Sequence, residues 1–341
     1  MTTFLVDGDN LLTIGFYGVK NYFYKGEHIG GIFHFLNTLR LSFENYHLDK
    51  IVVFWDGEDG SQARKKIYSH YKESRDTKGR TKTEYEVASY DYQRNRIKQY
   101  LEEVYVRQGE FHGCEADDGL AYYCQNTPDE KKIIFSSDGD LAQLVNEKVQ
   151  LYNPQHRKLY GPKDSFVYNK EEVLIENIAL VKMICGDYSD DIAGIKGMGI
   201  KTLKGLFPEI TTQPLTLDYI RYKTNFLFEQ DKDSKIVKNL ITGVTKYGVF
   251  GEEFFDINNT IVSLDTPFLT DEAREGIYEI INENLDPEGR SYKNTMKMMM
   301  EDGLFNVLPK SDDAWIKFLN PFLKLTRKEK NKKKQLKFLK N

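Results

Sequence analysis

The chain has 341 residues and a net charge of −4, from 52 acidic and 48 basic side chains. This length can bury a sizeable core in one or two domains, and no run approaches the about 20 apolar residues of a membrane span, so we expect no membrane association. Residues 1–4 lack a basic run followed by a long apolar segment, so no secretory signal is predicted. Cys114, Cys124 and Cys185 form no CxxC pair, which is typical of free thiols in a reducing compartment.

The distribution of charge is more informative than its sum. Basic residues concentrate in residues 64–107 and 324–340, whereas acidic residues form tight clusters elsewhere. A weakly negative net charge alone argues against a nucleic-acid partner, but separated charges permit metal binding in one region and phosphate binding in another.

In chain order, three short apolar runs each end in an acidic polar turn and are typical of buried strands. They are residues 3–6 before Asp7, residues 51–55 before Asp56, and residues 132–135 before Asp138. Residues 149–152 are predicted as a further strand. Helical patterns cover residues 31–46, 115–125 and 171–185, the last ended by Gly186.

This alternation of strands and helices predicts an α/β fold with a mostly parallel central sheet and helices on both faces. Ligands of such sheets bind beyond the carboxyl ends of the strands, which is where three separate aspartates fall. Together with acids further along the chain they form a candidate metal-binding set: Asp7, Asp56, Glu115, Asp117, Asp118, Asp138, Asp140, Asp187 and Asp190.

If these carboxylates converge, they cannot all stay ionised unless cations neutralise them. Oxygen ligands suit Mg²⁺ or Mn²⁺, and two such ions ~3.5–4 Å apart can activate water and stabilise the leaving oxygen of a phosphodiester. The sequence has no His- or Cys-rich cluster, so zinc is not expected. Any one aspartate after a strand is more often a turn residue or a helix cap. The prediction therefore depends on the recurrence of such acids, in order, at the predicted rim of the sheet.

The order of six motifs resembles that of the 5′-nuclease family, which includes flap endonucleases, phage 5′-3′ exonucleases, phage ribonuclease H and the 5′-nuclease domain of bacterial DNA polymerase I. The resemblance covers about residues 3–206. Its motifs are Asp7-Gly8-Asp9-Asn10, Phe54-Trp55-Asp56, Tyr71-Lys72-Glu73-Ser74-Arg75, Glu115-Ala116-Asp117-Asp118, Ser137-Asp138-Gly139-Asp140 and Gly186-Asp187-Tyr188-Ser189-Asp190-Asp191.

The resemblance implies a PIN-like fold and two bound metal ions. The first ion would be held by Asp7, Asp56, Glu115 and Asp117, and the second by Asp117, Asp138, Asp140 and Asp187, with Asp118 and Asp190 acting directly or through water. Asp9 and Asp191 depart from the usual pattern, where a small polar residue and Asn are common. Their added charge could strengthen metal binding or simply be solvated.

The basic region suggests contacts with phosphate. Arg64 and the Tyr71–Arg75 motif could form a solvated helix face, which is the ordinary role of a charge run. The resemblance instead implies that Lys72 and Arg75 meet the scissile phosphate, that Tyr71 stacks on a base, and that Arg64 contacts nucleic acid. Residues 64–107 would form a helical arch around a 5′ single strand, with a flexible apex near Gly79. Basic and aromatic side chains that suit such a strand alternate in Lys78, Arg80, Lys82, Tyr85, Tyr90, Tyr92, Arg94 and Arg96.

Residues 194–202 resemble a helix–hairpin–helix element of the family's larger helix–turn–helix unit. Glycines such as Gly197 and Gly199 let backbone N–H groups approach phosphate, and Lys196 and Lys201 add charge. Such a contact grips duplex DNA without reading its sequence, and in the family K⁺ can bind there.

We therefore expect three regions: a catalytic domain over 1–185, a duplex-binding region over 186–265, and a mainly helical part with a basic tail over 266–341. The apolar segment 314–325 could pack on the body as a terminal helix, or it could dock a single-strand-binding or other replication protein. No polymerase domain fits this length, so we expect a monomeric stand-alone nuclease of the cytoplasm, in a bacterium or a phage-infected cell.

The predicted activity is two-metal hydrolysis of DNA with a 5′ end or 5′ flap, or of an RNA–DNA hybrid, in primer or flap removal. One rival is a non-catalytic protein that binds branched DNA with the same fold. A second rival is a compact PIN-like ribonuclease. The complete acid set with Lys72 and Arg75 argues against the first, and the basic arch and glycine hairpin argue against the second.

Overall fold

The computed structural model describes residues 1–77, 82–282, 285, 290–311 and 313–339, with backbone alone for 76–77 and 328–339. The predicted arch apex, with Lys78, Gly79 and Arg80, lies outside the described residues. None of the helices in the described part of the chain combines the length and apolar character needed to cross a bilayer.

A central sheet organises the fold. The strands are β1 Thr2–Asp7, β2 Phe23–Tyr24, β3 Glu27–His28, β4 Lys50–Trp55, β5 Arg107–Glu110, β6 Lys131–Phe135, β7 Val149–Asn153, β8 Lys158–Tyr160, β9 Ser165–Tyr168, β10 Glu171–Leu174, β11 Gly186–Asp187, β12 Ile192–Ala193, β13 Val244–Thr245 and β14 Gly248–Val249. Six of them form one sheet in the order β5-β4-β1-β6-β7-β8, and the other eight form four two-stranded hairpins. Neighbours in the large sheet are parallel except β7 and β8, which are antiparallel. The prediction of a mostly parallel sheet is confirmed.

The helices are α1 Gly8–Gly18, α2 Gly30–Tyr46, α3 Gln62–Ile67, α4 Glu73–Thr77, α5 Glu84–Glu103, α6 Ala116–Asn126, α7 Ile178–Cys185, α8 Ile200–Leu206, α9 Leu217–Gln230, α10 Lys235–Thr242, α11 Glu253–Val262, α12 Asp271–Asn282, α13 Tyr292–Glu301 and α14 Ala314–Leu339. Short 3₁₀ turns occur at Asp140–Leu144, Ile175–Asn177, Pro208–Thr211 and Leu304–Asn306.

Alternation along the strands divides the interior into two cores. In β1, Phe4 and Val6 face one core while Leu5 faces the other, because successive side chains of a strand point to opposite faces. The first core, which contains Leu5, includes residues of α6, α7 and α12, and the second core, which contains Phe4 and Val6, includes residues of α1, α2, α13 and α14. Helices therefore cover both faces of the sheet, as predicted.

The prediction of one helix over residues 171–185 is partly wrong. Its first part is strand β10, which pairs with β9 and buries Val173 and Leu174. Only α7 is an α-helix, and it ends at Gly186, whose φ of +79° suits glycine. The pattern of apolar residues over 171–177 fits both a strand and a helix. Pairing with the antiparallel strand β9 makes the first part a strand.

The C-terminal part contributes to the second core. Phe318, Leu319, Phe322 and Leu325 of α14 are buried, and α14 packs against α2. Met298 and Met299 of α13 are buried as well. The segment 314–325 thus packs on the body, which was one of the two alternatives, while the division of the chain at residues 185 and 265 stays a prediction.

Candidate active site

Three strands bring aspartates to one rim of the sheet. Asp7 ends β1, Asp56 follows β4, and Asp138 follows β6, and β1 lies between the other two strands. The Asn10 N–H donates to Asp7 at 3.0 Å, so Asp7 also caps α1. The Ala116 N–H donates to Asp56 at 2.8 Å, which fixes the first turn of α6 against this rim.

Five of the predicted carboxylates fall into two groups that could each hold a metal ion. Asp117, Asp138 and Asp140 offer oxygens within 4.8 Å of one another, and so do Asp140, Asp187 and Asp190. Asp140 belongs to both groups. A set of hard oxygen donors with one shared carboxylate fits two adjacent divalent ions. This grouping differs from the split that the resemblance implied, and the assignment of ligands to each ion stays a prediction.

Electrostatic repulsion within the cluster supports that fit. Burial, together with neighbouring carboxylates, raises the pKa of Asp7 and of Asp117 well above the ordinary value. Burial also raises the pKa of Asp140 to about 7, although Lys182 opposes the shift. Groups that resist ionisation for this reason are stabilised as carboxylates when a cation binds between them.

Glu115 directly precedes α6 at the same rim, and its carboxylate is surrounded by hydrogen-bond donors. Arg64 donates to it at 2.8 Å, the Tyr71 hydroxyl donates at 3.0 Å, and the Lys72 ammonium forms an ion pair with it. Burial by itself would raise the pKa of Glu115, but Lys72 and Arg64 outweigh it and lower the pKa. Glu115 is therefore ionised and compensated by the protein's own cations.

One predicted metal ligand and two predicted nucleic-acid contacts are buried and have structural roles instead. Asp118 is fully buried, and its two oxygens accept hydrogen bonds from Arg64 at 2.7 and 2.9 Å and from the Phe268 N–H at 3.0 Å. The prediction that Asp118 binds metal is not supported by this placement. Arg64 is 3% exposed, so its predicted contact with nucleic acid is not supported either. Tyr71 is likewise buried, which leaves no ring face for a base to stack on.

Lys72 and Arg75 lie beside the carboxylates, and their contact with a scissile phosphate stays a prediction. The backbone of Lys72 is left-handed, with φ of +56°, and its N–H donates to the Asp190 carbonyl at 2.9 Å. Residues other than glycine adopt this conformation at a cost in free energy, and such residues cluster at functional sites. Arg75 forms an ion pair with the Asp190 carboxylate while its side chain stays 53% exposed. Both cations could therefore leave their carboxylates for a substrate phosphate.

Lys182 is a site residue that sequence reasoning missed. It is 3% exposed, forms an ion pair with Asp140, and its ammonium lies 2.6 Å from Asp187. Its neighbours raise its pKa well above the ordinary value despite burial, so it is charged. The available signal was a lone lysine in the otherwise apolar helix α7, five residues before Asp187.

The two unusual aspartates neither join the metal groups nor stay solvated. Asp9 accepts hydrogen bonds from Arg94 at 2.7 and 3.0 Å and from the Asp56 N–H at 2.9 Å. Asp191, with φ of +58°, accepts from the Ser74 N–H at 2.7 Å. Both therefore tie segments of the rim together.

Of the predicted arch the structure describes helix α5, and the arch itself stays a prediction. Two basic side chains of α5 are bound to the body, since Arg94 pairs with Asp9, and Arg96 pairs with Asp302 at 2.7 Å. Tyr85 and Tyr92 are about half exposed, at 50% and 48%. Of the alternating pattern, Tyr85 and Tyr92 thus remain accessible, whereas Tyr90 and these two arginines pack on the body.

The loop that carries Asp187 and Asp190 leaves and rejoins the body at a narrow neck. A Cβ atom on Gly186 would lie 2.3 Å from the Gly194 nitrogen, and one on Gly194 would lie 2.0 Å from the Cys185 carbonyl carbon. Neither distance is compatible with a side chain, so the backbones can approach only because both residues are glycine.

The predicted hairpin over 194–202 begins at Gly194, the second glycine of this neck. Gly197 has φ of +86°, and Gly199 caps α8. Lys196 is exposed, and the Lys201 side chain is 84% exposed. Gly197 and Gly199 are exposed, and so are the two lysines.

The chain is similar in sequence to known nucleases and polymerases. A family model described as "5'-3' exonuclease, N-terminal resolvase-like domain" matches residues 2–176. The chain is 28% identical over 229 residues to a 5'-3' exonuclease of Mycoplasmopsis pulmonis, covering 67% of this chain and 73% of that protein. It is 29% identical over 261 residues to a DNA polymerase I of Chloroflexus aurantiacus, but it spans only 26% of that longer protein.

Solved structures resemble the fold. A T5 5'-exonuclease with bound zinc has a TM-score of 0.59 at 21% identity, covering 89% of this chain and 99% of its own. A bacteriophage T5 flap endonuclease in a pseudo-enzyme–product complex with DNA and metal ions has a TM-score of 0.58 at 22% identity, covering 88% of this chain and 100% of its own.

The α/β fold and its rim of carboxylates define a 5′ nuclease, a class of phosphodiester hydrolase. Within that class, the chain belongs to the 5′-3′ exonuclease family.

Proposed function

We propose that this protein is a structure-specific 5′ nuclease that cuts DNA at or near a 5′ end or a 5′ flap. The observation that carries the proposal is the pair of carboxylate groups that share Asp140, with Lys72 and Arg75 beside them. The groups suit two divalent ions, and the two cations suit a phosphate between them.

The reaction is hydrolysis. A water oxygen attacks phosphorus, the P–O3′ bond breaks, and the products carry a 5′-phosphate and a 3′-hydroxyl. Divalent ions at the carboxylates, when bound, supply activation of the water and stabilisation of the leaving oxygen.

The chain's own cations act on the phosphate. Lys72 and Arg75 exchange their carboxylate partners, Glu115 and Asp190, for phosphate oxygens, and they neutralise charge as it develops. Lys182 stays with Asp140 and Asp187 and holds their side chains in place. Exposed Lys196 and Lys201 with the Gly197–Gly199 backbone would bind the duplex phosphates away from the cut, and K⁺ could bind at the same hairpin.

Several finer assignments belong to the same proposal. Mg²⁺ is the expected ion, with Mn²⁺ as a substitute, because the site offers carboxylate oxygens. RNA–DNA hybrids are a further expected substrate, with primer or flap removal in replication as the setting. We also propose a cytoplasmic monomer from a bacterium or a phage, acting beside single-strand-binding or other replication proteins.

The test is cleavage of a 5′-labelled flap duplex with Mg²⁺ and with EDTA. We expect metal-dependent cleavage by the wild-type protein. Asp138→Ala should reduce the rate by at least about 10²-fold while leaving duplex affinity within a few-fold, because it removes a proposed metal ligand and not a phosphate contact. Lys310→Ala, a surface change outside the site, is the control. Binding without cleavage by the wild-type protein would instead favour the non-catalytic rival.

A further inference from the structure

Tyr188 is the most conspicuous side chain that the proposed mechanism does not use. It lies in the loop between the metal-group residues Asp187 and Asp190, and it is 92% exposed. The loop is well anchored, because the Ser189 N–H and hydroxyl donate to Asp187 at 2.8 and 2.6 Å, and the Lys72 N–H donates to the Asp190 carbonyl at 2.9 Å. An aromatic ring held in water on a fixed backbone contributes little to folding, since its burial is what stabilises.

Tyr188 borders a cleft that runs along the carboxylates. The cleft has a volume of about 460 Å³, which lies within the ~300–1,000 Å³ of small-molecule sites. Its lining includes Asp138 and Asp187 from the two metal groups. Tyr168 and Asn169 of the β9–β10 hairpin line it as well.

The lining therefore combines two kinds of chemistry. The carboxylates, once they hold cations, attract a phosphate. Tyr188 and Tyr168 offer aromatic rings, and the exposed amides of Gln155 and Asn169 can both donate and accept hydrogen bonds. A phosphate and a flat ring with polar edges both occur in one nucleotide. A side-chain amide can form hydrogen bonds with the edge of any base.

We infer that this cleft receives the base of a nucleotide adjoining the scissile phosphate, and that Tyr188 is a positioning residue that stacks on that base. The inference rests on the proposed function, because the phosphate must lie at the carboxylates. Stacking of this kind is independent of sequence, since every base has an aromatic face. It fixes the strand at a second point, in addition to the phosphate contacts proposed for Lys72 and Arg75.

The test is a double-mutant cycle in which changes in the protein are combined with changes in the substrate. Affinity for a flap duplex is measured by fluorescence anisotropy with Ca²⁺ in place of Mg²⁺, for the intact substrate and for substrates that are abasic on either side of the scissile phosphate in turn. With the intact substrate, Tyr188→Ala should raise Kd by roughly 5- to 150-fold, and Tyr188→Phe and Tyr188→Trp should restore binding. With the abasic substrate at one of the two positions, wild-type protein and Tyr188→Ala should bind equally.

Controls separate stacking from folding. Tyr278→Ala removes another exposed tyrosine, 65% exposed on α12, and should leave Kd unchanged. Unaltered thermal unfolding of Tyr188→Ala is expected because the ring is solvated. An unchanged Kd for Tyr188→Ala, or the same loss on intact and abasic substrates, overturns the inference. Cleavage by wild-type protein in Mg²⁺ is measured in parallel: its absence would refute the proposed function, whereas cleavage with a Tyr188-independent Kd refutes the stacking alone.

Discussion

At the scale of single residues, Lys182 shows how the site compensates the negative charge of its carboxylates. Its ammonium is buried between Asp140 and Asp187, which belong to the second group of carboxylates. A buried charge that loses its partner is strongly unfavourable, so the lysine and the two acids stabilise the fold only together.

Lys182→Met should therefore destabilise the metal-free protein. Breaking a buried ion pair from one side costs ~3–5 kcal/mol, and bound divalent ions should recover part of this because they replace the missing positive charge. Thermal unfolding in EDTA and in Mg²⁺ measures both effects. Lys201→Met, which changes a lysine that is 84% exposed, is the matched control and should show neither. If Mg²⁺ raised the Tm of wild-type and Lys182→Met protein equally, the lysine would not compensate the metal-binding carboxylates.

Residue spacing explains which site residues could be predicted. Asp7, Asp56 and Asp138 follow buried apolar runs, so parallel strands bring them to one rim. Asp117 and Asp118 are consecutive on α6, and successive helical residues point about 100° apart. Asp117 therefore joins the cluster and Asp118 turns towards Arg64, which no count of acids distinguishes.

Among the elements, the segment that carries Lys72 is fixed by contacts far away in the chain. The His70 ring stacks on Tyr247 with centroids 4.2 Å apart, next to the β13–β14 hairpin. The Ala193 N–H donates to the Tyr68 hydroxyl at 3.3 Å. The sequence identified the Lys72 motif through resemblance, but contacts over more than 120 residues are not visible in a local pattern.

Tyr247→Ala should loosen this segment. An aromatic pair contributes about 0.5–1.5 kcal/mol, so amide exchange over residues 68–75 should accelerate several-fold while exchange in β1 stays unchanged. Hydrogen exchange followed by mass spectrometry measures both regions. Tyr278→Ala on α12 is again the comparison. Equal exchange at residues 68–75 in wild type and Tyr247→Ala would show that the stack does not restrain the Lys72 segment.

For the whole molecule, the net charge of −4 conceals a strong local imbalance. Burial and mutual repulsion raise the pKa of Asp7 and Asp117, and raise that of Asp140 to about 7. In unfolded protein these groups titrate near 3.8. Between about pH 4 and 7 these three groups therefore bind more protons in the folded state than in the unfolded state, and their contribution to stability falls as pH rises.

The metal-free protein should accordingly lose thermal stability as the pH is raised from 5 to about 7. Glu115 and Asp187 have lowered pKa values because nearby cations overcome burial, and their contribution is lost only below about pH 4, outside this window. Mg²⁺ should stabilise the protein more at pH 7 than at pH 5, since protons compete for the same carboxylates. Thermal unfolding across pH, with EDTA and with Mg²⁺, tests this. A metal-free Tm that rises throughout the window would contradict the assigned pKa directions.

The glycine neck at Gly186 and Gly194 has a consequence for genetics. Because a Cβ at either position meets backbone atoms within 2.5 Å, no missense codon at these two positions yields a side chain that fits. Even alanine, the smallest replacement, displaces the loop that bears Asp187 and Asp190. A saturation library selected for activity should therefore recover synonymous changes alone at both codons, whereas the codon for Tyr188, one residue after Asp187, should still accept Phe and Trp.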